Sequence, residues 1–331
     1  MTSREIFKAK IEHRDAPRPG LTFSGERIND AVSCSTGIAR GFTQKRWVEG
    51  NIEYYDDMWG NLWERMVGGC QGGEVCKPAI SDWSELDKWT PPQIDVEKCI
   101  SEGRKALDAY PDRFRMVGCP GWMFSSARYL RKLEIYMMDM ALYPEELKRL
   151  HEKMSVVFET SIFIAGELKA DAIFFCEDMG TQNGLLFSPE MWDEYFSKMY
   201  HRLFGMAHEK GLKVIMHSCG QNSAILERLL KAGVNCFQFD QPTVYDPVFL
   251  SGLLKKYNAG LWSPIDIQKI MPTGDYDIIE KGVDFMFKHY ADCVIFKNYG
   301  DLPGIGVKPE WDMWAYEKIC EKAGIRETAS V

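Results

Sequence analysis

The sequence predicts an α/β fold built on parallel strands. The C-terminal half alternates short apolar runs of strand length with longer amphipathic stretches, and the connections between them are short. Capping and breaking residues stand at the ends of these runs. The chain has 331 residues, 45% of them hydrophobic, enough for one large core. One domain over residues 1–331 is the expectation, because no linker, repeat or low-complexity tract interrupts it.

The C-terminal elements follow in order. Residues 171–176 (DAIFFC) form an apolar strand. Ser188 and Pro189 then start a helix, as N-cap and first helical residue. Its apolar stripe is Trp192, Tyr195, Phe196, Met199, Leu203 and Met206, and Gly211 ends it. Residues 214–219 read as the next strand, and Ile225, Leu226, Leu229 and Leu230 mark a short helix closed by Gly233. Strands over 234–239, 259–263 and 294–296 follow, with helices over 276–290 and 309–323. Half a barrel and half an open sheet both fit this alternation. The N-terminal half is less regular. A strand is expected over 115–117 and helices over 125–140 and 144–168. Residues 41–95, rich in Trp, Gly and Asp, read as an excursion rather than a repeat.

The net charge of −8 and the lack of any basic run of five argue against nucleic acid as a partner. No stretch of about 18 apolar residues occurs, so no membrane span is expected. Residues 1–15 are charged and helical in pattern, unlike a secretory leader. The ten cysteines contain no CxxC pair and fit a reducing cytoplasm, most of them as small core hydrophobes.

The most informative stretch is His217-Ser218-Cys219-Gly220, which ends an apolar strand. Strand side chains alternate, so His217 and Cys219 share a face. An imidazole and a thiolate are a natural zinc pair. Two other readings stand beside it: a pair of half-buried polar residues sharing hydrogen bonds, and a Cys–His nucleophile. The nucleophile is disfavoured by the expected splay of i and i+2 and the lack of an evident orienting group.

Several segments together resemble the uroporphyrinogen decarboxylase superfamily, which includes decarboxylases and corrinoid-dependent methyltransferases. Residues 3–7 (SREIF) through 13–17 (HRDAP) look like its opening helix and turn, and 117–121 (VGCPG) like its "GP" segment. Residues 177–180 (EDMG) through 186–189 (LFSP) are similar to its strand, loop and helix start. Residues 213–220 and 232–234 resemble its "HSCG … AGV" block. Ile265-Asp266 and Gly300-Asp301-Leu302-Pro303 sit where its last two barrel loops fall. The resemblance implies a single (β/α)8 TIM barrel, with the irregular N-terminal excursion laid over it.

The decarboxylase branch carries several arginines in an N-terminal loop to pair with substrate carboxylates; here residues 22–29 offer Arg27 alone. The methyltransferase branch carries His-x-Cys and a later Cys as zinc ligands. His217 and Cys219 are present, but the later Cys would fall near Tyr299 and is absent. A third ligand must come from a neighbouring strand end. Glu177 is the first candidate, and Asp178 is expected to face the other way on a regular strand. Arg27, Asp178, Trp262 and Tyr299 are the expected substrate contacts, with Trp122 and Phe187 as further aromatic candidates. The corrinoid-binding pattern Asp-x-His-x-x-Gly is missing, since Met206 stands where Asp is required before His208 and Gly211.

The resemblance therefore points to zinc-dependent methyl transfer between a small thiol or methoxylated molecule and a separate corrinoid protein. The alternatives are a metal-free decarboxylase using Arg27 with Asp57 or Asp178, and a non-catalytic binding subunit. Family members often form dimers, so a homodimer is also expected.

Overall fold

The computed structural model describes residues 1–69 and 72–325. In chain order its strands are β1 (Gly20–Thr22), β2 (Ala31–Ser35), β3 (Arg46–Glu49), β4 (Ile52–Asp56), β5 (Leu62–Met66), β6 (Glu74–Lys77), β7 (Phe114–Gly118), β8 (Ala172–Cys176), β9 (Lys213–His217), β10 (Cys236–Gln238), β11 (Gly260–Ser263) and β12 (Val294–Lys297). Eight of them form one parallel sheet in the order β1-β12-β11-β10-β9-β8-β7-β2, curled into a nearly closed (β/α)8 barrel. At the seam the Asp30 N–H donates to the Leu21 carbonyl at 2.7 Å, and the buried Asp30 carboxylate accepts the Leu21 N–H at 2.8 Å. Arg18 neutralises that carboxylate with both ends of its fork, at 2.6 and 2.8 Å. β1 and β2 were not expected from the sequence. They are short, and β2 alternates serines with small residues.

The expected C-terminal strands and helices are present, with boundaries shifted by one or two residues. Residues 125–140 differ from expectation. They form two helices, Met123–Arg131 and Leu133–Leu142, broken at Lys132 with φ of 66°. The break lets Arg131 turn back onto Asp139 at 2.8 Å, a pair buried to within 4% exposure on either side, and onto the Ile80 carbonyl.

The excursion over 41–95 holds a four-stranded antiparallel sheet, β3-β4-β5-β6. It docks on the barrel through aromatic side chains. Trp63 packs edge-on against Tyr129, with ring centroids 4.6 Å apart, and Trp59 donates its indole N–H to the Pro120 carbonyl at 3.1 Å. Asp57 organises this loop by accepting from the Trp59 and Asn61 backbones, the Asn61 amide and the Trp63 indole.

The N-terminal end of the barrel is plugged. The helix Ser3–Ile11 starts at Thr2 with a reciprocal Thr2–Glu5 capping box. It inserts Phe7 and Ile11 against Ala31, Phe114, Ala172 and Cys236, the first residues of β2, β7, β8 and β10. Phe7 stacks on Phe114 with centroids 4.4 Å apart. Each such buried ring contributes about 1.5–3 kcal/mol. No helix among the described residues is long and apolar enough to cross a membrane.

Candidate metal centre

Strand register decides which side chains meet at the other end. Cys176 of β8 pairs with His217 of β9, His217 with Gln238 of β10, and Gln238 with Trp262 of β11. Register neighbours in a parallel sheet face the same way, so these four side chains belong to the inner wall. Alternation continues past the strand ends. Glu177 and Ser218 turn outward, while Asp178 and Cys219 turn inward beside His217.

The expectation for Glu177 is therefore corrected: it is not placed with His217 and Cys219. Its fully buried carboxyl lies between the barrel wall and the helix Met123–Arg131, where it accepts the Phe124 and Ser125 N–H groups at 2.7 and 2.8 Å. The Tyr200 hydroxyl donates to it as well. Burial pushes this carboxyl up to about 7 despite these donors. It caps a helix, and Asp178 takes the inward place.

Asp178, His217 and Cys219 bring one oxygen, one nitrogen and one sulfur within 4.8 Å of one another. His217 Nε2 lies 3.4 Å from Asp178 Oδ1 and 3.4 Å from Cys219 Sγ. Ligand atoms around a tetrahedral zinc, at about 2.0–2.3 Å from the ion, stand about 3.3–3.7 Å apart. The two 3.4 Å separations and the mixed N, S and O donor set fit that ion.

The i and i+2 side chains meet rather than splay, with Cys219 Sγ 3.4 Å from His217 Nε2. Gly220 takes a φ of 78°, and a Cβ there would meet the Gly180 and Thr181 carbonyls at 2.6 Å. Only glycine permits this bend, which lets the chain pass close to the Gly180 and Thr181 carbonyls directly after Cys219.

A polar chain orients the imidazole. Lys297 lies 3.4 Å from Asp240 Oδ1, to which the Gln238 amide donates at 2.7 Å. That bond turns Gln238 Oε1 toward His217 Nδ1, 2.6 Å away. The acceptor obliges Nδ1 to carry a proton and leaves Nε2 as the ligating nitrogen. On the other side Asp178 Oδ1 accepts the Cys219 N–H at 2.8 Å, and Arg128 stands 4.0 Å from Oδ2.

Electrostatics follow from this packing. Burial raises the Asp178 carboxyl, but His217, the Cys219 N–H and Arg128 outweigh it and hold it down at about 2. Burial pulls the His217 imidazole down, yet Asp178 and Cys219 carry it well above its ordinary value. The Cys219 thiol is pushed up, chiefly by burial, which is the wrong direction for a free nucleophile.

Three further expected contacts separate clearly. Trp262 lies below the mouth, donating its indole N–H to Thr22 Oγ1 at 2.7 Å and packing edge-on against Phe174. Tyr299 stands at the rim. Burial raises its phenol, and the charges of Asp240 and Cys219 add to the effect. Arg27 is committed elsewhere, to the buried Asp312 at 2.6 Å and to the faces of Phe23 and Tyr316. It fastens the β1 loop to the helix Pro309–Lys322, since a carboxylate as buried as Asp312 requires a cation. Trp122 and Phe187 are packed within the core.

Residues not singled out from the sequence complete the site. The exposed Cys176 lines a chamber of about 250 Å³ together with Asp178, Trp59, Trp63, Ser125 and Tyr129. Gln238 lies within the expected 234–239 strand, where period-two alternation would have placed it facing inward. Arg128 and Trp63 had no such signal, because their positions depend on the docking of the excursion. Cys70 lies outside the described residues.

The uroporphyrinogen decarboxylase family model matches residues 68–248, more than half of the chain and the stretch that holds Asp178, His217 and Cys219. The chain belongs to the uroporphyrinogen decarboxylase family. Among solved structures it is similar to a methyltransferase from Methanosarcina mazei, with 12% identity and a TM-score of 0.69. That likeness covers 97% of this chain and 99% of the other. A looser likeness is to a glycosylated endo-β-1,4-xylanase from Gloeophyllum trabeum, with 10% identity, a TM-score of 0.44, and coverage of 69% and 81%. No curated protein sequence matches the chain. The first likeness, extending over nearly the whole length, agrees with the barrel as the fold of this family member.

Proposed function

We propose that this member of the uroporphyrinogen decarboxylase family is a zinc-dependent methyltransferase, moving a methyl group between a small thiol or methoxylated molecule and a separate corrinoid protein. The observation that carries the reading is the Asp178–His217–Cys219 cluster, with its ligand spacing and its Gln238-oriented imidazole. A catalytic zinc site needs three protein ligands and an open position, and of the three here Asp178 lines the chamber. Zinc held there would act as a Lewis acid, favouring the thiolate of a bound thiol or polarising an ether oxygen.

The chain's own residues have distinct tasks. Gln238 fixes the His217 tautomer, and the Cys219 N–H fixes the Asp178 carboxylate, with Arg128 4.0 Å away. Trp63 and Tyr129 line the chamber beside Asp178. With the Asp-x-His-x-x-Gly pattern missing, the corrinoid would arrive on its own protein and approach the C-terminal mouth of the barrel.

The metal-free decarboxylase is less well supported. Of the three residues it would use, Arg27 is paired with Asp312, and Asp57 is occupied by four donors of its own loop.

The test is metal content by elemental analysis of protein purified without chelators. About one zinc per chain is expected, and Asp178→Ala, His217→Ala and Cys219→Ala should each abolish it. A wild-type protein with well under one zinc per chain removes the reading. Metal that survives His217→Ala and Cys219→Ala removes the site. Carbon dioxide released from uroporphyrinogen would favour the decarboxylase instead.

A further inference from the structure

Arg128 lies over the Phe124 and Tyr129 rings, 5.5 and 4.8 Å from their centroids, but has few hydrogen-bond or ionic partners. It sits on the helix Met123–Arg131, and its side chain is 15% exposed. Its Nη2 donates to the Tyr129 hydroxyl at 3.0 Å. Its Nε is buried with no hydrogen-bond partner. Asp178, at 4.0 Å, is the one carboxylate among the described residues within ion-pairing distance of it. A guanidinium carries five N–H donors, and leaving a buried charged donor unpaired is costly.

Asp178 does not compensate it fully. That carboxylate already accepts the Cys219 N–H and faces His217. If zinc occupies the cluster, the Asp178 carboxylate and the Cys219 thiolate match its two charges, and Asp240 matches Lys297. Arg128 is then a positive charge without a counter-ion. It lines a cavity of about 410 Å³ with Tyr129 and Lys132. Tyr129 also lines the chamber containing Asp178 and Cys176, so the two spaces share a wall. Glu64, Glu74 and Glu134 line the outer cavity too, without closing on the guanidinium.

We propose that the small molecule handled at this site carries a carboxylate, and that Arg128 receives it. The planar two-oxygen group suits the guanidinium fork, and its charge supplies the missing counter-ion. Seated there, the carboxylate holds the ligand beside Asp178, with its methyl-bearing end toward the cluster. The use of this anchor in methyl transfer rests on the function proposed above; the binding of a carboxylate does not.

The experiment is calorimetric titration of the full chain, zinc-loaded and chelator-treated, with three carboxylates and their neutral amides: methoxyacetate, 3-methoxypropanoate and 4-methoxybenzoate. At least one carboxylate should bind about tenfold or more tighter than its amide, the range of a charge-assisted hydrogen bond. Arg128→Met should bring that ratio toward one, and Arg128→Lys should keep part of it. If no carboxylate is preferred over its amide by the wild-type protein, or if Arg128→Met keeps the full preference, the proposal is overturned. Comparison within the wild type stands even if a variant folds poorly. Zinc content measured on the same samples separates the two ideas. Carboxylate preference without zinc leaves the Arg128 assignment standing and removes the methyltransferase reading. Zinc without carboxylate preference does the reverse.

Discussion

The two ends of this barrel are built on opposite principles. At the N-terminal end Phe7, Ile11, Phe114, Ala172 and Cys236 close into an apolar plug with essentially no solvent access. At the C-terminal mouth the same strands end in Cys176, Asp178, His217, Cys219, Gln238, Asp240 and Lys297. Packing sets the stability of the first. At the second, hydrogen bonds linking Asp178, His217, Cys219, Gln238 and Asp240 keep a thiol, an imidazole and a carboxylate close together where ordinary packing would separate them. The lesson is that one set of strands divides its length between folding and chemistry.

The largest expected effect breaks the mouth without touching the plug. His217→Ala or Cys219→Ala should reduce zinc from about one per chain to near none in elemental analysis. With chelator present in both samples, thermal midpoints should stay within a few degrees of wild type. Phe7→Ala should do the opposite. The lost ring and the cavity left behind cost about 3–5 kcal/mol in denaturant unfolding, with zinc content unchanged in the folded fraction. If either variant moved both properties equally, the division between the two ends would fail.

His151 is a titratable weak point in the packed layer of helices. His151 is buried, with the Tyr136 hydroxyl 3.0 Å from its Nε2, and burial lowers its imidazole to about 4. The folded protein therefore keeps it neutral where the unfolded chain takes a proton. Its contribution is fully present above pH ~6.5 and is lost as pH falls toward 4, up to roughly 3 kcal/mol. Across that window His151 makes stability rise with pH, against the opposite slope of Glu177, whose carboxyl burial raises to about 7. Relative to wild type, His151→Gln should therefore tilt the pH dependence of stability downward in urea titrations at several pH values.

The smallest effect sharpens the picture of the mouth. Gln238→Ala removes the orienting acceptor but no ligand. Zinc affinity should fall about 10–100-fold by competition with a chromogenic chelator, with stoichiometry retained. No change in affinity would mean that the imidazole is held by Asp178 and Cys219 alone.

Much of the fold was legible because apolar runs and capping residues are local signals. Ser188 accepts the Met191 N–H as the expected N-cap, and the alternation of strands and helices from residue 171 onward is observed. β1 and β2 carry little local signal, because three and five residues of mostly small or polar type form no apolar run. The single helix expected over 125–140 is two, because the Arg131–Asp139 pair is a tertiary contact that no local pattern announces.

The candidate site divides in the same way. The sequence by itself determined that an imidazole and a thiol stand at a strand end, since both lie in one short motif with period-two spacing. It also determined the family, through motifs in a fixed order. Only the tertiary structure decided which carboxylate joins them. Glu177 and Asp178 are adjacent and chemically alike, and a shift of one residue along a strand turns a side chain to the opposite face. The structure sends Glu177 to a helix N-terminus and Asp178 to the imidazole. It also brings Arg128 and Trp63 to the mouth from distant segments, because only the packed chain brings them near β8 and β9.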